Sequence, residues 1–233
     1  MFLTILNVLG LLIAWGFWLW LADRPFMPSW SLALAIGGPL ISIPLVILGR
    51  WLLDRHPSIE RAVRVTTFIH YLIFIPLVGG IIEASRFAQN APYAWSSPLP
   101  AWVGLGIMLI SGVMLVLVIF NLALKGLGAP FAIALTRVVA TDWLYAWTRN
   151  PMVLSAFAFL LGLGLWLQSS LFILWLLIVV SPAFFIFLRV YEERELDIRF
   201  GDAYRAYKAQ TPMLFSFRAG HPAPTSSTTK RTT

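Results

Sequence analysis

The stretch WTRNPMVLSAFAF, residues 147 to 159, sets an arginine, an asparagine and a proline directly before a long apolar run. Asn150 stands where a helix N-cap belongs. Pro151 stands where the first helical residue belongs, because a proline gives up no hydrogen bond there. The first turn of such a helix, from Asn150 through Pro151 and Met152, presents free backbone N–H groups and the positive end of the helix dipole. Arg149 adds a full charge, and the combination can hold a carboxylate or a phosphate. Plain capping, with Arg149 reaching lipid headgroups, explains the same residues, and from these residues alone it is the stronger account.

A second cluster is Glu192-Glu193, at the end of another apolar run. Acidic residues at a membrane boundary are costly without partners. Local pairing accounts for Glu193, four residues after Arg189, and for Glu195, four before Arg199. Glu192 escapes that account. It shares a helical face with Leu188, Leu196 and Phe200, so it points toward packed structure, where a carboxylate could bind an ammonium, a ribose hydroxyl or a sulfonium. A third element, KGLGAP from Lys125 to Pro130, has glycines that allow close backbone approach to a ligand, although a flexible loop has the same composition. There are no cysteines, which excludes disulfides and thiolate chemistry, and His56, His70 and His221 are too scattered for a metal site.

The elements that must position these residues are membrane helices. The chain of 233 residues is 59% hydrophobic and 12% charged, with a net charge of +7 and a mean hydropathy of +0.82; soluble domains carry about 25% charged residues. Six apolar runs, near Leu3–Leu21, Ser31–Leu53, Thr66–Ala84, Ala101–Leu124, Met152–Leu167 and Ser170–Tyr191, are each candidates to cross a hydrocarbon core about 30 Å thick. The expectation is an all-α, polytopic transmembrane bundle of about six spans, embedded in the lipid bilayer. Its fifth and sixth spans should form a tight hairpin, and the first should be retained rather than cleaved. Basic excess falls between spans two and three, between four and five, and after six, while the other connections are neutral. The positive-inside rule then puts both termini and the polar mouth in the cytoplasm. The basic excess reads as membrane topology, not as nucleic-acid binding. After span six, EERELDIRFGDAYRAYKAQ predicts a charged amphipathic cytoplasmic helix with Leu196, Phe200, Tyr204 and Tyr207 on one face. Residues 1–100 read as a three-span region, 101–217 as a membrane core with the polar clusters, and 218–233, rich in Pro, Ser and Thr, as a disordered tail.

The order GLGAP, then TDWLYAWTRNPMVLS, then VYEERELDIRFGDAYRAYKAQTPM resembles the isoprenylcysteine carboxyl methyltransferase family and its relatives, the phospholipid N-methyltransferases. Their pattern is Gly-x-Gly-Thr-Pro, Arg-His/Asn-Pro-x-Tyr-x-Gly, Glu-Glu, Phe-Gly-x-x-Tyr-x-x-Tyr and a Pro-Arg ending. The resemblance covers about Lys125 to Phe217. It departs at Val153, where the family has tyrosine, at Ser155, where it has glycine, and at Met213, where it has arginine. Arg55-His56-Pro57 spells the motif more literally, but the charged SIERAVR that follows cannot open a buried hairpin, so it reads as a loop turn.

The resemblance implies an S-adenosyl-L-methionine-dependent methyltransferase acting on a lipophilic acceptor, or on a small carboxylate, thiol or amine. It implies cofactor binding by Asn150, Pro151, Met152, Tyr145, Glu193, Tyr204 and Tyr207, with Trp147 nearby. Arg149 and Glu192 become the candidate catalytic residues, with no metal. An ionised carboxylate acceptor needs no base, so positioning can carry the catalysis; an amine or thiol needs a route for its proton. A degenerate member that binds a lipid or partner, and a nicotinamide-dependent sterol or isoprenoid reductase, remain as alternatives.

Overall fold

The computed structural model describes residues 2–90, 96–124 and 139–215, with side chains for all of these except 2–7, 123 and 124. The KGLGAP loop and the 218–233 tail lie outside the described residues. Within them the chain is all helical: α1 (Phe2–Ala22), α2 (Pro28–Leu40), α3 (Ser42–Arg55), α4 (Ile59–Asn90), α5 (Ala101–Leu124), a 3-10 turn (Trp143–Ala146), α6 (Pro151–Trp166), α7 (Ser170–Phe200) and α8 (Asp202–Gln210). Four stretches are long and apolar enough to cross a membrane: Pro28–Arg55, Ile59–Asn90, Ala101–Leu122 and Ser170–Phe200. Val8–Ala22 and Pro151–Trp166 are shorter apolar helices. At 1.5 Å per residue, α6 spans only about 24 Å, less than a full hydrocarbon core.

Several boundaries differ from the apolar runs. The second run is two helices, α2 and α3, meeting at Ile41, just after Pro39 interrupts the helical hydrogen bonding. α4 runs past Ala84 to Asn90 and carries the fully buried Glu83 inside it. Ser31 and Arg86 both donate to that carboxylate, and Arg86 also reaches the carbonyls of Leu21 and Arg24. The charges that cancel in the sequence are thus one internal clasp between α4, α2 and the α1–α2 turn.

α7 does not end at Tyr191. It continues through two π-helical turns, Leu176–Val180 and Phe187–Glu192, to Phe200, where Gly201 adopts φ +53° and breaks the chain direction. The charged segment after the sixth run is therefore split: its first half extends α7, and only Asp202–Gln210 forms the separate short α8.

α6 packs most closely along α5 rather than along α7. The contact depends on glycine. A Cβ on Gly104 would lie 2.3 Å from the backbone nitrogen of Trp166, and one on Gly162 would lie 2.8 Å from the carbonyl oxygen of Gly104. α6 still turns tightly into α7, where Ser169 caps the helix by accepting from the Phe172 N–H, but the two then meet through large side chains such as Phe157 and Phe184. α4 packs on α2, α3 and both ends of α7. No packed interface forms between α4 and α5 among the described residues, and a cavity lies between them.

Candidate functional site

The lip before α6 is held by the segment that follows α8. The Arg149 N–H donates to the Pro212 carbonyl at 2.9 Å, and Thr148 Oγ1 and Asn150 Nδ2 both donate to the Met213 carbonyl, at 3.1 and 3.0 Å. Asn150 occupies the N-cap position of α6, but its side chain makes no capping bond. Its amide is spent on Met213, which leaves the first turn around Met152 without a capping side chain. Pro151 is buried beneath the lip.

Arg149 points inward, with its side chain 8% exposed. Nη1 donates to the Tyr204 hydroxyl at 2.8 Å and Nη2 to Glu193 Oε1 at 3.0 Å. Nε is buried with no hydrogen-bond partner. Glu193 is the hub of a surface cluster, since Lys208 and Arg189 also pair with it, at 2.6 and 3.2 Å. The i, i+4 pairings expected of Arg189–Glu193 and Glu195–Arg199 both form, the second buried at 2.6 Å. The carboxylate of Glu192, one residue from the hub, makes no hydrogen bond or ion pair among the described residues, and Glu192 lines the cavity.

That cavity has a volume of about 610 Å³, within the usual range for small-molecule sites. Arg149, Asn150, Met152, Tyr145, Glu192, Glu193, Tyr204 and Tyr207 all line it. Of the residues singled out in the sequence, Pro151 lies outside the lining, and Trp147 is 67% exposed and also outside it. Two of the departures, Val153 and Met213, pack against a core cluster that includes Tyr191 and Leu188. Ser155 returns its hydroxyl to the Pro151 carbonyl. The literal Arg55-His56-Pro57 lies at the end of α3, with Arg55 stacked over Trp51 and no part in the cavity.

The tyrosines at the mouth are buried donors. Tyr207 gives its hydroxyl to the Tyr145 carbonyl at 2.6 Å. Burial pushes the Tyr204 phenol up to about 12 against the pull of Arg149. Burial also raises Tyr207, with Tyr145 adding to it, and raises Tyr145, with the Glu192 charge adding to it. All three stay neutral at ordinary pH.

Sequence reasoning missed the contribution of α4. Thr66 and His70 reach the cavity from the first half of the chain. Thr66 shares a 2.9 Å hydrogen bond with Tyr191. The only sequence signal was a polar pair one turn apart within an apolar run. Away from the mouth the cavity becomes apolar, walled by Phe74, Leu77, Leu115 and Phe159.

The residues present fit an S-adenosylmethionine molecule at the polar end: an orphaned buried guanidinium nitrogen for an anion, an unpaired carboxylate for a cation or hydroxyl, and aromatic rings around both. No curated protein and no solved structure matches the chain. Residues 99–203 match the family model of the phospholipid methyltransferases, which names the phospholipid relatives rather than the isoprenylcysteine enzymes. The stretch that carries α5, α6, Arg149, Glu192 and Glu193 is thus similar to a methyltransferase family, and it points to methyl transfer at a membrane.

Proposed function

We propose that the chain is an integral-membrane, S-adenosylmethionine-dependent methyltransferase with six membrane crossings, α1, α2–α3, α4, α5, α6 and α7, and with the cavity mouth and both termini in the cytoplasm. The observation that carries the proposal is convergence. Arg149, Asn150, Glu192, Glu193, Tyr204 and Tyr207, drawn from separate motifs, line one cavity that is polar at one end and apolar at the other. A polar cofactor and a lipophilic acceptor need that division.

Bound S-adenosylmethionine supplies an electrophilic methyl group on a sulfonium. Arg149 Nε and the α6 N-terminus bind a carboxylate, with Arg149 held in place by Tyr204 and Glu193. Glu192 takes an ammonium or a ribose hydroxyl. Tyr145, Tyr204 and Tyr207 close the polar end and limit water around the reacting atoms. The apolar walls of α4, α5 and α6 receive the hydrocarbon part of an acceptor. The isoprenylcysteine-like specificity belongs to this proposal as one choice of acceptor. Residues 101–217 would form the methyltransferase core, with α4 completing its pocket.

The departure at Met213 is compatible with this arrangement, whereas Val153 lines the cavity itself. The Met213 carbonyl, not its side chain, holds Thr148 and Asn150. Calorimetric titration of the detergent-purified protein with S-adenosylhomocysteine tests the reading. Micromolar binding that Glu192→Gln weakens about tenfold or more supports it. A folded sample that binds NADPH and not S-adenosylhomocysteine sinks it.

A further inference from the structure

A second polar patch lies in the cavity, built by α4 against α7. On α4, Thr66 and His70 sit one turn apart. His70 Nδ1 lies 2.8 Å from the Thr66 carbonyl, and its ring stands edge-on to Phe187 at 5.5 Å between centroids. From α7, Tyr191, Glu192, Glu195 and Arg199 face the same space, with Tyr191 bonded to Thr66 and Glu195 to Arg199. α4 lies outside the stretch that matches the methyltransferase family model.

The His70 contact fixes the chemistry of the ring. A carbonyl oxygen only accepts, so Nδ1 must carry the proton. In the neutral ring Nε2 is then a bare acceptor, and it has no hydrogen-bond partner among the described residues. Its residue lines the cavity. An imidazole in an apolar helix, pinned through one nitrogen and open through the other, is arranged to take a proton from whatever occupies the cavity.

Resting on the methyltransferase reading above, we propose that His70 Nε2 is the proton acceptor for the methyl acceptor, and that the acceptor's nucleophilic atom therefore carries a proton, as an amine or a thiol does and a carboxylate does not. The nucleophilic atom bonds the methyl carbon as the carbon–sulfur bond breaks, and that bond's electron pair stays on sulfur in S-adenosylhomocysteine. The acceptor's proton passes to Nε2, giving an imidazolium whose Nδ1–H remains on Thr66. Glu192 faces that cation, together with the Glu195–Arg199 pair, and it returns its proton to water when the product leaves. The placement divides the labour of the chain: the motif-bearing half binds the cofactor, and α4 supplies the base.

The test uses three probes of equal chain length, dodecylamine, dodecanethiol and dodecanoate, each added with S-adenosylmethionine to the full-length protein in detergent. Dodecylamine or dodecanethiol should be methylated and dodecanoate not. His70→Asn, which keeps a donor toward Thr66, should lower kcat about 100-fold or more while S-adenosylhomocysteine affinity stays within about twofold. A readout free of turnover uses ¹⁵N-histidine NMR of the protein carrying His56→Gln and His221→Gln and saturated with S-adenosylhomocysteine. His70 should show Nδ1 protonated, and dodecylamine or dodecanethiol should shift Nε2. Dodecanoate as the preferred acceptor, an Nε2 signal unmoved by amine and thiol, or an unchanged kcat in His70→Asn would overturn the proposal. Failure of S-adenosylhomocysteine to bind at all removes the methyltransferase reading and this one with it. Binding with an inert His70 removes this one alone.

Discussion

Asn150 donates its side-chain amide to the main-chain carbonyl of Met213 at 3.0 Å, so the lip that opens α6 is tied to the segment beyond α8 by a bond indifferent to the Met213 side chain. Met213→Leu should therefore leave S-adenosylhomocysteine affinity within about twofold. Asn150→Ala should cost about 1 kcal/mol of stability and weaken the same ligand, because the Met213 carbonyl keeps only Thr148 as a donor. Thermal unfolding and titration calorimetry on the two variants check this. Equal effects would mean that the side chain at 213 matters after all.

Arg149 serves Tyr204, Glu193 and an open Nε at once. A lysine has one nitrogen and no fork, so Arg149→Lys should bind S-adenosylhomocysteine almost as poorly as Arg149→Ala, about tenfold or more below the parent. Glu193 keeps Lys208 and Arg189 in either variant, so folding should suffer less than ligand binding. Restored affinity in the lysine variant would show that charge alone is enough.

Two nearby carboxylates should behave oppositely. Glu192 has no internal partner, so Glu192→Gln should weaken ligand binding with little change in melting temperature. Glu195 is buried against Arg199 at 2.6 Å, and Glu195→Gln removes the charge of one member of that pair. Loss of one partner of a buried pair typically costs about 3 kcal/mol or more. Denaturation of both variants in one detergent separates the roles, and a stability loss in Glu192→Gln as large as in Glu195→Gln would contradict them.

Much of this was legible in the sequence and some was not, for identifiable reasons. Ala101–Leu124 reads correctly to the residue because apolar composition alone defines a helix that faces lipid. Arg149 and Glu192 stood out because charges are expensive at a membrane boundary, and Tyr204 and Tyr207 because they recur at helical spacing on one face. The continuation of α7 to Phe200 was hidden, because Glu195–Arg199 and Arg194–Asp197 neutralise each other along the helix and look like a surface segment. The burial of Glu83 was hidden by its long-range bond to Ser31. His70 carried only the weak signal of Thr66 one turn before it, since Phe187, against which its ring packs, lies 117 residues downstream.

Stability should fall at high pH. Tyr145, Tyr204 and Tyr207 hold their protons in the folded chain above the ordinary phenol range, with Tyr204 at about 12. Above about pH 10 the unfolded chain binds fewer protons than the folded one, so the unfolding free energy declines from there through the folded values. Melting temperature measured between pH 8 and pH 11.5 should be flat and then drop. The drop should be shallower in Tyr204→Phe, and an unchanged slope in that variant would place the titrating groups elsewhere.

Gly104→Ala should destabilise the α5–α6 pair, because the new methyl meets the backbone at Trp166, which cannot rotate away as a side chain would. Gly106→Ala, where a Cβ meets nothing within 4 Å, is the control and should be neutral or slightly stabilising. Equal melting temperatures for the two variants would show that the close approach is not required.

α5 leans on α6 and on the turn around Tyr145, while Trp102, Leu109, Ile110, Val113 and Phe120 point away from the protein. A helix in a soluble bundle would find other helices on that side. Among the described residues no helix covers that side, and the hydrocarbon of a bilayer is the neighbour that suits it. Acyl-chain length and packing are thus structural variables of this protein in the same sense as its side chains, and a change of lipid acts on α5 as a core substitution would.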